Sequence, residues 1–259
     1  MQDQVIDIEK LRVKPTDAVT RDQVVLYFKA DYGWTEVMTA GNISTVIGKA
    51  KSRKTFFTTL LIVGAINNRL QQFRSQLTGD VVLFDTEQGK FHVWKITKRI
   101  ENMMGDFPDS IRVYGLRPLT VAERIDTIEK YLYLKEPQLV FIDGVRDLVT
   151  DINSAEQATE IVGKLMRWSY DLHCHICCVL HQNKADDNAR GHIGTEIVNK
   201  SESVLSVSKT KDKSYSLVKS EYTRGMETKE FKFTIDNNIP VIDETEMAGS
   251  FDNDNTKPF

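Results

Sequence analysis

Apolar residues along this chain fall into short β-branched runs that alternate with longer stretches of helical period. "NISTVIG" (42–48) reads as a buried strand, and "KTFFTTLLIVGAINNRLQQF" (54–73) has the length of a helix. The alternation continues with a strand at "DVVLFD" (80–85), a helix at "FHVWKITKRIENMMG" (91–105) and a strand at "IRVYGL" (111–116). "TVAERIDTIEKYLYL" (120–134) predicts a helix with Thr120 and Glu123 at capping-box spacing. "SAEQATEIVGKLMRWSYDL" (154–172) repeats the device with Ser154 and Gln157. "QLVFID" (138–143) and "HICCVLH" (175–181) predict two more strands. The pattern then changes to a β meander, "SVLSVSK" (203–209), "SYSLVKSE" (214–221) and "EFKFTID" (230–236), joined by polar turns. Apolar strands separated by helices predict an α/β fold, a mostly parallel twisted sheet flanked by helices, with an antiparallel β extension at the C-terminal end. Three segments follow: 1–40 with a β-hairpin packed on the core, a main domain over 41–243, and an acidic flexible tail over 244–259.

Composition narrows the setting. A chain of 259 residues that is 41% hydrophobic can bury one large core, which fits one domain better than two small ones. No apolar run approaches the length of a membrane span, and "MQDQVIDIEK" lacks the basic-then-apolar layout of a signal peptide. Cys174, Cys177 and Cys178 lie in an apolar strand. Alternation would split them between two faces, so they read as reduced core thiols rather than metal ligands, and the expected compartment is the cytoplasm. The net charge of −3 is concentrated in the tail, where Glu244, Glu246, Asp252 and Asp254 face Lys257 alone. The remainder is balanced, so any nucleic-acid site has to be a local patch.

The chemistry concentrates where the first of these strands meets its helix. "GKAKSRKTF" (48–56) places Gly48 six residues before Lys54-Thr55, the spacing of a phosphate-binding loop, with Arg53 where the usual second glycine stands. Lys49, Lys51, Arg53 and Lys54 crowd the positive end of a helix dipole, a conflict that a polyphosphate relieves. The segment Gly48, Lys49, Ala50, Lys51, Ser52, Arg53, Lys54, Thr55, Phe56 is therefore the candidate nucleotide-binding loop. Lys54 and Arg53 are assigned to phosphate and the Thr55 hydroxyl to Mg2+. "QLVFIDG" ends an apolar strand on Asp143, a second Mg2+ ligand, and "VVLFDTEQ" offers Glu87 as the base that orients water, with Asp85 ending its strand.

Loop, acidic "DTEQ" strand end, "LVFID" and a strand ending "VLHQNK" occur in the order seen in RecA-like P-loop ATPases, and over about residues 40–243 the chain resembles that family. The resemblance is nearest to compact RepA-type hexameric helicase ATPases of plasmids and mobile elements, with DnaB-type helicases more distant. It implies a RecA-like core that binds and hydrolyses ATP with Mg2+ and assembles as a homo-oligomer or hexameric ring on single-stranded DNA. It implies a γ-phosphate sensor at His181 or Gln182, with Gln182 taking the role. It also implies an arginine finger from a neighbouring subunit, matched by Arg224 and Lys219 in "VKSEYTRGMET". The loop "NKADDNARGHIGTEI" (183–197) resembles the DNA-contacting segment and offers Lys184, Arg190 and His192; Gly191 and Gly194 argue for mobility or close backbone approach there rather than a fixed helix. Tyr32 and Trp34 stand as candidates to stack on adenine, and packing of a hairpin turn accounts for them equally. A loader or adaptor that binds nucleotide and translocates poorly, and third a strand-exchange recombinase, are the alternative functions. The tail "FDNDNTKPF" resembles the C-terminal docking peptide of single-strand-binding proteins, implying a replication or mobilisation protein as partner, while a charged plug and an inert end remain open.

Overall fold

The computed structural model describes residues 8–183, 189–211 and 213–243; Lys184 and the tail motifs lie outside them. A 3-10 turn at Ile8–Leu11 precedes β1 (Val24–Lys29), β2 (Trp34–Thr39) and β3 (Ile43–Gly48). There follow α1 (Lys54–Ile66), β4 (Phe73–Arg74), β5 (Val81–Asp85), α2 (Lys90–Met104) and β6 (Ile111–Gly115). The middle of the chain supplies α3 (Val121–Lys135), β7 (Leu139–Asp143), α4 (Ala155–Asp171) and β8 (His175–His181). The last elements are α5 (Gly191–Lys200), β9 (Ser203–Lys209), β10 (Ser216–Thr223), β11 (Phe231–Asp236) and β12 (Ile239–Ile242).

Among the described residues, nine strands form one sheet in the order β12-β11-β10-β9-β3-β8-β7-β5-β6. The six strands from β9 to β6 run parallel, and β10, β11 and β12 extend the sheet antiparallel, which is the expected RecA-like α/β architecture. Strands such as β7 are buried along their whole length because helices cover both faces. On one face, Phe57, Leu60 and Leu61 of α1 and Ile96 and Ile100 of α2 pack with Val46, Leu83 and Phe141. On the other, Ile128 and Leu132 of α3, Ile161 and Leu165 of α4 and Ile193 and Ile197 of α5 pack with Ile47, Val82 and Ile142. Strand alternation sends Cys177 to the first face and Cys178 to the second. All three thiols are buried and free, and burial pushes Cys174 and Cys177 up to about 12, so they are inert core residues. A second sheet, β2-β1-β4, packs Leu26, Phe28, Met38 and Phe73 against α1.

Two elements depart from the sequence expectation. Helix α1 stops at Ile66 rather than running to residue 73, because Asn67 leaves helical geometry and Phe73 and Arg74 pair with Phe28 and Tyr27 of β1. Residues 191–200, expected as a mobile loop, form α5. Gly191 opens it with φ +77 where a Cβ would press on the Ile152 carbonyl at 2.6 Å, and Ile193 and Ile197, four residues apart, are fully buried. Both expected caps form. Thr120 and Glu123 make a full capping box, whereas Ser154 caps Gln157 N while the Gln157 side chain turns to Thr150 and Asp151 instead. No helix of the described residues is long and apolar enough to cross a membrane.

Candidate functional site

The parallel strands β3, β8, β7 and β5 all end at one edge of the sheet, and the candidate residues follow those ends. The turn after β3 is compact. Gly48 is required there, since a Cβ would collide with the Val207 carbonyl and with Ser52 Oγ. Ser52 is buried and its hydroxyl has no partner among the described residues. Two non-glycine residues of the turn adopt left-handed backbone, Lys51 at φ +64 and Arg53 at φ +77. Such conformations cost on the order of 1 kcal/mol each and persist where surrounding structure imposes them. Arg53 thus keeps the backbone shape that glycine normally supplies in this loop. Its side chain is not free to range over the cleft: Nη1 donates to Ser214 O at 3.0 Å and Nη2 to Lys213 O at 3.2 Å, both in the β9–β10 turn.

Lys54 is buried at the base of the loop. Its ammonium donates to Gly48 O at 2.8 Å, to Lys49 O at 3.2 Å and to His181 Nδ1 at 3.0 Å. Burial lowers its pKa to about 8, against the opposing pull of the Asp143 and Glu87 charges. With Nδ1 accepting from Lys54, the His181 ring presents Nε2–H to Glu87 Oε2, 3.4 Å away. That bond, ahead of the opposing effect of burial, lowers the Glu87 carboxyl and keeps it ionised. Asp85 plays the part expected of a strand end. It is buried, and accepts from Glu87 N at 3.1 Å, Gln88 N at 2.6 Å and Gln88 Nε2 at 2.6 Å, so it fixes the turn that aims Glu87.

The Thr55 hydroxyl donates to Asp143 Oδ2 at 3.0 Å. Burial, reinforced by the Asp85 charge next to it, raises Asp143 to about 6. A buried carboxylate held up in this way gains from a cation, and a hydroxyl with a carboxylate is the hard-oxygen donor pair that Mg2+ takes. The described residues hold no cluster of three or more His, Cys, Asp or Glu able to cage a metal. Thr55 and Asp143 therefore fit an ion that completes its shell with nucleotide phosphate and water.

Lys54, Thr55, Glu87, Asp143 and His181 line a cleft of 520 Å3 together with Lys51, Arg53, Phe56 and Gln88. Its far wall was not anticipated from motifs: His92, Lys95, Ile96 and Arg99 of α2, and Asn238 of the β11–β12 turn. Arg99 is buried, its guanidinium 3.8 Å from the Phe56 ring centroid, with donors on Thr59 Oγ1 and Asn238. Its position three residues after Ile96 on a helix that buries Val93, Ile96 and Ile100 was the only sign in the sequence that it faces inward.

Other candidates lie elsewhere. Gln182 is outside the cleft; its backbone bonds Gly48 O and it bridges to Ala189, so His181 and not Gln182 is the residue beside Lys54 and Glu87. Arg190 lines a neighbouring hollow with Lys49, Arg146 and Gln182, while His192 faces a different one with Asn153 and Tyr222. Lys219 lies in β10 beside Glu230 at 3.8 Å. Arg224 follows the end of β10 paired with the start of β9, at the edge where β3 begins, and is separated from the loop by the length of β3, roughly 20 Å. It cannot reach the cleft of its own chain. Trp34 lines a hollow at that same distant edge with Asn42 and Arg224, and neither Trp34 nor Tyr32 is among the residues that line the cleft.

Residues 14–187, two thirds of the chain, match the family described as AAA domain. A search of curated proteins found no match.

Proposed function

The chain belongs to the AAA domain family, and from that premise we propose that it is an ATP-hydrolysing motor of the RecA-like helicase type, acting on single-stranded DNA as a homo-oligomeric ring in the replication or mobilisation of a plasmid or mobile element. The observation that carries the reading is the convergence of Lys54, Thr55, Asp143, Glu87 and His181 on one cleft from four adjacent strand ends. Lys54 meets the β and γ oxygens as a point charge, and the loop amides and α1 N-terminus add their dipoles. Thr55 and Asp143 would hold Mg2+, which would supply charge neutralisation on the phosphates. Glu87, ionised and steered by His181, orients the attacking water. His181 joins Lys54 and Glu87, so it is the group that registers the γ-phosphate. Arg224, just past β10, together with Lys219 on that strand, completes the cleft of a neighbouring copy. Arg190 with Lys49 and Arg146 supplies the cationic rim for the strand.

The turn contacts of Arg53 favour a second reading, a nucleotide-dependent loader that turns over slowly. The test is ATPase rate with and without single-stranded DNA, alongside mass in solution. DNA-stimulated turnover by a ring supports the motor; nucleotide binding by a monomer whose slow turnover DNA does not change supports the loader.

A further inference from the structure

Arg53 combines a left-handed backbone, a place on the wall of the phosphate cleft, and a guanidinium committed to two carbonyls of a different element. We propose that Arg53 is a nucleotide-responsive latch: its guanidinium holds the β9–β10 turn in the nucleotide-free state and exchanges that turn for phosphate oxygens when ATP binds. The inference rests on the nucleotide-site reading above.

The acceptors decide the direction. Lys213 O and Ser214 O are neutral carbonyls, and the side chain reaches them in an exposed setting. Ionised phosphate adds a charge–charge attraction to the guanidinium that neutral carbonyls lack, and the fork geometry suits two phosphate oxygens. Release leaves Ser214 O still accepting from Thr234 Oγ1 at 3.2 Å. The strand itself stays docked, because Ser216 Oγ donates to Ser52 O at 3.2 Å. The turn is therefore what moves. It is a small unit with its own amide bonds, Lys213 N to Thr210 O at 2.9 Å, Tyr215 N to Thr210 Oγ1 at 3.2 Å and Thr210 N to Tyr215 O at 3.1 Å. Lys213, at φ +62, adds a strained residue that the latch helps to hold. The turn also carries Lys211 and Lys213, with Lys209 at the end of β9, so its release changes how these lysines are presented beside the phosphate site. Glycine at position 53 would keep the backbone shape and lose the signal.

Amide hydrogen exchange over residues 209–216 tests this, read on the full chain with and without the non-hydrolysable analogue AMP-PNP and Mg2+. Losing the two guanidinium–carbonyl hydrogen bonds predicts roughly tenfold or greater acceleration of exchange in the turn on nucleotide addition. In Arg53→Gly the turn should exchange fast in both states, at AMP-PNP concentrations that saturate each protein. Arg53→Lys, which keeps the charge but lacks the planar two-donor fork, should show a nucleotide response smaller than the parent's. A purely structural Arg53 would change the baseline but leave the nucleotide response intact. Equal or slower exchange in the parent on adding AMP-PNP, or an undiminished response in Arg53→Gly, overturns the latch. Calorimetry on the same samples separates the two failures: if the parent takes up no AMP-PNP, the nucleotide site itself is wrong.

Discussion

Lys54 has three acceptors and a low-lying pKa for an amine because the loop wraps it away from water. Lys54→Ala should remove nucleotide binding while changing thermal stability little, since no core packing depends on it; titration with a fluorescent ATP analogue would show it, and parent-like affinity would refute the loop assignment. Glu87→Gln keeps shape and removes charge. Binding should persist while hydrolysis falls by roughly 10²–10⁴-fold. A rate equal to the parent's would move the role to another carboxylate. At this scale the sequence pointed to Lys54 and Thr55 at the start of α1 and to Asp143 and Glu87 at or just past strand ends. The fold gathers all four at one cleft because neighbouring parallel strands end on the same edge of the sheet. The sequence favoured Gln182 over His181 as sensor, whereas His181 is the one of the two that lines the cleft. Adjacent residues past a strand end differ by which way the chain turns, and the bridge of Gln182 to Ala189 sets that turn.

Elements were legible where their period was long and their ends were signalled. The Thr120 and Ser154 caps form where polar side chains can reach backbone amides three residues on. Helix α5 was missed because its two glycines resemble a flexible loop, and the burial that stabilises it comes from β3, β8 and α4. Ile197→Ala should therefore cost about 2–5 kcal/mol in urea unfolding, as for a fully buried aliphatic residue, whereas a loop residue would cost little. The junction of β2 and β9 predicts a pH effect. Glu202, buried at the start of β9, accepts from Thr39 N and Oγ1 at 2.6 Å. Burial raises its pKa from 4.5 to about 7. Between those values the native state binds more protons than the unfolded chain, so this residue lowers stability as pH rises through the window. Glu202→Gln should accordingly stabilise by about 1–3 kcal/mol at pH 8 and by far less near pH 5. Equal effects at both values would show that the carboxyl is not held protonated by burial.

For the whole molecule, the geometry of Arg224 is the most consequential. Because it lies the length of β3 away from its own cleft, the proposed finger role requires a neighbouring copy. Arg224→Ala alone should hydrolyse slowly, and mixing it with Lys54→Ala should restore part of the turnover at hybrid interfaces, in proportion to their statistical share. No recovery in mixed assemblies would exclude a finger role for this residue.

The linear order of apolar strands, helices and charged strand ends was enough to determine the α/β class, the parallel core with its antiparallel extension, and the identity of the loop, because burial on both faces and the dipole at a helix start are local demands written into residue type. The sequence could not determine which residues meet across elements. Arg99 and Asn238 come together from points far apart in the chain to close the cleft, and Arg53 finds its acceptors in a turn 160 residues away. Those contacts depend on the order of strands in the sheet, which places β9 against β3 and brings β12 beside α1 and α2. Side-chain pattern specifies that a strand is buried; only the packed sheet decides its neighbours, and with them which charges face the phosphate site.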